Sequence, residues 1–547
     1  MNHKMQQEFQ PSDRLNEDIE TTVSLNCSVL DKIKRSEFAK DRDRILYSRA
    51  FRRLQHKAQV FSNEKGDHFR TRLTHTLEVS QISRSLARYL FVNEDLVEAI
   101  AIGHDIGHTP FGHQGERVLD GVMKGEDDLG MIRYPINYGG FKHNFNGIRV
   151  LDVVQTKFED YNGLNLSWQV LEGVLKHTKI KRCIVCKNCG NCWDIKRFVN
   201  DQAIIPRLYL DKRHSVTIEG QIVAIADEIA QRQHDIDDGF RDYSLKLDVD
   251  YVYSKIIEIS NDIISEYTSS EKTSPEKDKR YEESLTLLND LKVNLESHEE
   301  STKFYKQEIL VRDIIEYFIL DVLTNSQKNL QQISNLIYDY GREIVDQEFV
   351  NFSDVGQKMN ISIEKLIKQR ILNSWEVNKF DGKAHYITRQ HFKAYYRNPL
   401  QMPDYVFKRL LSRIKSTSHI YDLELKIGSD ETRKLKDINF DSDRSEISTL
   451  IETLKIENIN KNVVIPEQSG KLFFKSERDR KPSTDDLLKR LKSINSQDVN
   501  KLESQEDLFL KCLLENNYIY LSTICDYISG MTDNYAKSQF KELYLVD

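Results

Sequence analysis

Residues that break helices are rare in this chain and concentrated in one window. Only 9 of the 547 residues are proline, and 14 of the 22 glycines fall between Gly66 and Gly190. Proline removes a helical hydrogen bond and glycine costs about 1 kcal/mol in a helix interior. Outside that window the chain is therefore expected to be mostly α-helical. Its length allows a large core and two or more domains. No apolar run approaches the roughly 20 residues of a membrane helix, so no membrane partner is expected. The opening MNHKMQQEFQPSDR has no hydrophobic signal region. The seven cysteines are an odd number with four clustered, which fits a reducing cytoplasm better than a disulfide framework.

The net charge of −7 does not point to nucleic acid or an anionic membrane. The distribution is less bland. From Lys32 to Arg72 there are 13 Lys/Arg against 5 Asp/Glu, a local balance of +8. Such a segment suits a polyanionic substrate; a solvated helix face with ordinary charge pairs is the alternative.

Residues 1–30 read as a flexible lead-in, and 31–400 as the core. Within that core, 181–194 is a Cys-bearing insert and 265–300 a polar linker. The stretch 401–505 reads as peripheral and of lower order, with short strands near Asn462–Ile465 and Lys471–Phe474. Helices over 506–547 are expected to pack on the core. Leu73, Leu77, Ile82, Leu86 and Leu90 follow helical spacing and place His75 near the start of a helix. Asn93 is a candidate cap for the next helix, whose Leu96, Val97, Ala99, Ile100, Ala101 and Ile102 form an almost wholly buried stretch, an apolar rod. That rod ends at Gly103-His104-Asp105. A further helix over Glu219–Ile229 carries Asp227 among apolar residues, and 306–346 reads as amphipathic helix.

His75, His104, Asp105 and Asp227 are the candidate metal ligands. Two imidazoles and two carboxylates can close around one divalent ion and leave positions open for water and substrate. Burying a carboxylate unpaired costs several kcal/mol, roughly, and a cation removes that cost. The mixed N/O donor set suits Mn²⁺, Mg²⁺, Fe²⁺ or Co²⁺, with Zn²⁺ a further option. Such a site activates water for attack on phosphorus. Seven of the 15 histidines lie between His56 and His143. His108 and His113 follow the His-Asp pair in a Gly-rich loop, and Glu116 stands three residues past His113. An imidazole there can protonate a leaving oxygen or bind phosphate, and the Glu can orient it. Cys183, Cys186, Cys189 and Cys192 form a C-x2-C-x2-C-x2-C array, a candidate structural Zn²⁺ site. An iron–sulfur or redox role and a metal-free array are the alternatives.

The runs RDRILYSRAFRRLQHKAQVF (Arg42–Phe61), GHDIGHTPFGHQGE (Gly103–Glu116), FKHNFNGIRV (Phe141–Val150), ADEIAQRQHDIDD (Ala226–Asp238) and DYISGMTDNYA (Asp526–Ala536) together resemble the HD-superfamily deoxynucleoside triphosphate triphosphohydrolases, the dGTPase-like group. The HD pair alone is a weak motif; the combination in this order is highly specific. The resemblance is strong over 41–240 and again at the C-terminus. It implies an all-α fold: an HD-domain helical core, a helical C-terminal region and small irregular insertions. It also implies hydrolysis of a dNTP, dGTP as first guess, to deoxynucleoside and inorganic triphosphate.

Carried over by position, His75, His104, Asp105 and Asp227 match the family's metal ligands. His113 matches its catalytic His and Glu116 the supporting carboxylate. Arg72, His108 and His143 match phosphate-gripping positions. Arg53, Gln55 and Asn146 are candidate pocket residues, and Asp235 matches the residue that reads the sugar 3′-hydroxyl. The resemblance further implies a homo-oligomer, a dimer-based tetramer or hexamer, with a candidate allosteric nucleotide site.

Two positions depart from the pattern. Gln231 stands where family members often carry Tyr, which bears on sugar discrimination. Glu228 stands where some relatives have Lys, which moves a phosphate contact elsewhere, with Lys32–Arg72 as the candidate source. Two other readings stay open: another HD phosphohydrolase acting on a nucleoside monophosphate or cyclic nucleotide, and a regulatory or single-stranded nucleic-acid-binding protein on an HD scaffold, which the net charge does not support.

Overall fold

The computed structural model describes residues 35–61, 66, 69–132, 135–158, 162–180, 198–199, 202–242, 244–268, 275–331, 337–339, 342–416, 424–427, 431–434, 463–464 and 505–545. In chain order the helices are α1 (Glu37–Leu46), α2 (Arg49–Arg53), α3 (Arg72–Leu90), α4 (Glu94–Gly103), α5 (His113–Met123), α6 (His143–Arg149), α7 (Trp168–Lys176) and α8 (Ile218–Arg241). There follow α9 (Val249–Thr268), α10 (Pro275–Ser297), α11 (Lys303–Gln331), α12 (Asp354–Ile367), α13 (Trp375–Arg397), α14 (Asp404–Ser416), α15 (Gln505–Ser529) and α16 (Asp533–Tyr544). The fold is all-α apart from short strands. β1 (Ile337–Asp339) and β2 (Arg342–Ile344) pair antiparallel, and β3 (Glu424–Ile427) pairs antiparallel with both β4 (Glu431–Lys434) and β5 (Val463–Val464). The chain divides into two compact units. The first is Met1–Gly112, His143–Lys181 and Ile195–Lys383; the second is His113–Lys142, Arg182–Asp194 and Ala384–Asp547.

In the first unit, polar side chains start the helices. Ser36, Thr71, Asn93, Thr217 and Ser353 each accept a backbone N–H of the first turn, for α1, α3, α4, α8 and α12. The apolar rod is α4. Its residues Leu96, Val97 and Ala99 to Gly103 are buried, Glu94, Asp95 and Glu98 are half-buried, and it packs against α1, α3, α7 and α8. A Cβ on Gly173 would lie 2.5 Å from Ile100 Cδ1, so α7 lies closer to α4 than any larger residue permits. Helices α3 and α8 also pack on each other.

Two sequence expectations need correction here. The polar stretch 265–300 is not a linker: most of it is α10, which packs against α9 and α11. Its buried Ser284, Leu288, Leu291 and Leu295 repeat at helical spacing, a narrow stripe lost among charged residues. The helix expected over 306–346 does not run to its end: α11 spans Lys303–Gln331, and Ile337–Asp339 and Arg342–Ile344 are the antiparallel strands β1 and β2.

In the second unit, α15 packs against α5 and α14. Tyr138 Oη donates to Asn517 Oδ1 at 2.8 Å, and Arg389 grips Asp127 through two contacts of 2.8 and 2.9 Å. Of the stretch 401–505, the described residues form α14 and the three-stranded sheet, and β5 falls where a strand was expected at Asn462–Ile465. The expected strand Lys471–Phe474, the lead-in 1–30 and Cys183, Cys186, Cys189 and Cys192 lie outside the described residues. Among the described residues no helix is long and apolar enough to cross a membrane.

Truncating the α10 stripe tests the corrected assignment. Leu295→Ala is expected to cost about 2–4 kcal/mol, whereas Val293→Ala on the exposed face should stay within about 0.5 kcal/mol. Urea denaturation of both variants checks this; equal effects would restore the linker reading.

Candidate metal centre

Three helices of the first unit deliver the donor atoms. Thr71 caps α3 and, with Thr74, closes a capping box, which fixes the first turn and sets His75 on its buried face. Helix α4 ends at Gly103, with His104 as C-cap and Asp105 next. A helix C-terminus presents unpaired carbonyls and partial negative charge, which favours a cation. His104 Nδ1 donates to one of these carbonyls, Ala101 O, at 2.6 Å. Midway along α8 stands Asp227.

These groups converge. His75 Nε2 is 3.0 Å from Asp227 Oδ1 and 4.0 Å from Asp105 Oδ2. His104 Nε2 is 3.5 Å from Asp105 Oδ1 and 3.7 Å from Asp227 Oδ1. Donor atoms of His75, His104 and Asp227 all lie within 4.8 Å of one another. His104 Nε2 is buried without a hydrogen-bond partner. Its ring has committed its proton to Ala101 and holds an unspent lone pair toward the cluster. That is what a metal ligand needs, so the residues present fit a divalent ion.

Charge compensation is dense. Arg72 donates to Asp105 Oδ2 at 2.6 Å, and His108 Nε2 is 3.0 Å from Asp105 Oδ1. Burial favours the neutral acid at Asp105, but Arg72, His108 and His104 hold its carboxyl well below the usual range. Burial likewise opposes charge on Asp227, and the His75 hydrogen bond with nearby His104 holds it low. At His75 burial is outweighed by Asp227, which raises its pKa. Burial, Arg72 and His143 hold His108 well below its ordinary value.

The loop after Asp105 is shaped by close backbone approach. A Cβ on Gly107 would sit 2.0 Å from His143 O, so only glycine lets α6 lie against this loop. Asn146 Nδ2 donates to Gly107 O at 2.7 Å, which makes it a clamp on the loop. His143 stacks on His108, ring centroids 4.0 Å apart. The buried Lys57 ammonium donates to His108 O. Phe111 and Gly112, just before α5, both take positive φ, +60° and +59°.

The remaining predicted residues are distributed as follows. Asp235 lies on α8, buried, with Oδ1 lacking a hydrogen-bond partner; burial pushes its pKa up to about 7 against the pull of Arg232. Arg53 on α2 is half-buried, with Nε donating to Arg49 O at 3.3 Å, and Gln55 in the next turn is exposed. His113 and Glu116 lie on α5 of the second unit. His113 is exposed, and Glu116 is buried and ion-paired with Lys142 at 2.5 Å.

Three further residues escaped the sequence reading. His177, at the end of α7, is buried, with its ring 5.2 Å from His104 and 5.4 Å from His143. Burial, then His104 and His143, lower its pKa to about 4. His234 touches His75, and Glu78 touches His234. Their spacing was the available signal: Glu78 is three residues past His75 and His234 seven past Asp227, each pair on one helix face.

The HD domain family matches residues 72–231, a span that holds all four candidate ligands. Fold, donor set and this match together define an HD-domain phosphohydrolase. The chain is 35% identical over 369 residues to a deoxyguanosinetriphosphate triphosphohydrolase-like protein of Geobacter metallireducens, covering 68% of this chain and 80% of the relative. A protein of the same description from Bartonella henselae is 35% identical over 374 residues, with the same coverage. One from Thiobacillus denitrificans reaches 44% over 207 residues, covering 38% of this chain and 47% of that protein. The chain belongs to the deoxyguanosinetriphosphate triphosphohydrolase-like family.

Asp235 yields a pH prediction. A carboxyl whose folded pKa is raised favours the folded state fully below its ordinary value of 3.8, and that contribution is lost as pH rises through about 7. Asp235→Asn is therefore expected to stabilise the protein on the order of 1–3 kcal/mol at pH 8 and hardly at all at pH 4. Urea midpoints at the two pH values check this; an equal difference at both would show that charge on Asp235 is not the cause.

Proposed function

We propose that this chain hydrolyses a deoxynucleoside triphosphate, dGTP first, to deoxynucleoside and inorganic triphosphate. The observation that carries the reading is the convergence of His75, His104, Asp105 and Asp227, with the His104 Nε2 lone pair unspent. A divalent ion held by these four supplies Lewis-acid polarisation of the phosphate oxygens. Arg72 beside Asp105 provides a fixed guanidinium for α-phosphate charge, and His108 and His143 provide imidazoles for the phosphate chain.

One water is consumed. Its oxygen bonds to the α-phosphorus, the P–O5′ bond breaks, and O5′ takes a proton. The family motif assigns that proton to His113, with Glu116 as its supporting carboxylate. Asp235, whose carboxyl burial pushes up to about 7, suits a hydrogen bond to the sugar 3′-hydroxyl. Assembly as a homo-oligomer belongs to the same proposal, on family grounds.

Product analysis with each dNTP and NTP tests it, using purified protein with Mn²⁺ or Mg²⁺ and an Asp105→Ala control. Deoxynucleoside plus triphosphate is expected, with turnover falling more than ~100-fold in the control. Pyrophosphate or phosphate as product would refute the reaction and favour a different HD-type hydrolysis.

A further inference from the structure

Behind His75 lies a chain of side chains that the proposed reaction does not use. His75 turns Nε2 toward Asp227, Asp105 and His104, so Nδ1 is its rear nitrogen. That Nδ1 is 3.0 Å from His234 Nδ1. The far nitrogen of His234, Nε2, meets the Glu78 carboxylate. Arg70 secures Glu78 through Nε at 3.3 Å, and its Nη1 reaches Asp237 at 2.6 Å and Asp238 at 3.0 Å. His234 is buried, while the Glu78 side chain is 41% exposed, so the chain runs from the donor cluster to solvent.

We propose that Glu78 and His234 are positioning residues that fix the tautomer of His75 and present its Nε2 lone pair to a divalent cation. The logic is one of donor counting. Two imidazole nitrogens at hydrogen-bond distance need one proton between them. A carboxylate only accepts, so a neutral His234 carries its proton on Nε2, facing Glu78. Its Nδ1 is then an acceptor, and His75 must supply the proton from Nδ1. With a cation in place of the proton that Nε2 shares with Asp227, the lone pair of His75 lies on Nε2, on the side of Asp227 and Asp105. The opposite assignment would set the His234 Nε2 lone pair against the Glu78 carboxylate, which is repulsive. Hydrogen bonding to the rear nitrogen also raises ligand basicity and holds the ring plane. Helices α3 and α8 each contribute one metal donor and one relay member, so their packing builds both at once.

The proposal rests on His75 being a metal ligand, and the experiment separates the two claims. Free Mn²⁺ is titrated by electron paramagnetic resonance against wild type, Asp105→Ala, His234→Phe, His234→Asn, Glu78→Ala and Glu78→Gln, with circular dichroism to confirm folding. His234→Phe and Glu78→Ala are expected to weaken Mn²⁺ binding about 10–100-fold. His234→Asn keeps an acceptor for His75 Nδ1, and Glu78→Gln keeps one for His234 Nε2. Both should return to within about fivefold of wild type. Wild-type affinity in folded His234→Phe and Glu78→Ala would overturn the relay, as would His234→Asn binding no better than His234→Phe. Should His234→Phe fail to fold, the exposed-end pair Glu78→Ala and Glu78→Gln decides, and wild-type affinity in both overturns it. If wild type and Asp105→Ala bind Mn²⁺ alike, the metal-centre reading itself falls, and the relay with it.

Discussion

Asp105 stands at the end of a buried apolar helix, 3% exposed, and its carboxylate has to be neutralised there. A charged carboxylate in such surroundings is tolerable only with partners at contact distance. Arg72 and His108 meet it directly, His104 and His75 lie within 4.0 Å, and a second carboxylate, Asp227, enters the same cluster. Two carboxylates brought together at the carbonyl end of a helix call for positive charge. Much of the first unit's arrangement follows from this. Helices α3 and α8 come alongside α4 to bring the imidazole and the second carboxylate, and the Gly107 loop folds back under α6 to bring His108.

The same cluster explains why the loop from Ile106 to Gly112 is irregular yet well held. Its backbone is clamped by Asn146, by the Lys57 ammonium and by the close approach of α6 that Gly107 permits. Ligand-bearing loops work when their surroundings are stiff. Here the stiffness comes from side chains bonded to main-chain carbonyls, the neutral Asn146 amide and the Lys57 ammonium. Asn146 holds the loop through Gly107 O.

Legibility in the sequence was uneven for identifiable reasons. The rod Leu96–Ile102, the Asn93 cap and the His-Asp at its end were all readable, because capping chemistry and apolar period are local. The rarity of proline gave the helical class. Helix α10 was not readable, since four buried positions sit in a strongly charged segment whose overall composition resembles a linker. The hairpin β1–β2 was also missed, as the amphipathic period of α11 was extended past its real end. His177 escaped because a single buried imidazole leaves no signature until its neighbour is known, and the helical spacing of Glu78 and His234 gains meaning only once α3 and α8 are seen to meet.

By itself, the sequence determined the class of fold, the donor types of the site and the family, through motifs whose order and spacing are covalent facts. Helical period showed which face of each helix is apolar and which residues share it. Only the tertiary structure decided how those faces meet. It set Arg72 on Asp105 and not toward solvent, Asn146 on Gly107, and Glu78 of α3 on His234 of α8. It also decided which nitrogen of His75 and of His104 faces the donor cluster. The physical reason is that a hydrogen bond depends on ångström-scale register between helices far apart in the chain. That register comes from the packing of many residues together and is written in no single motif.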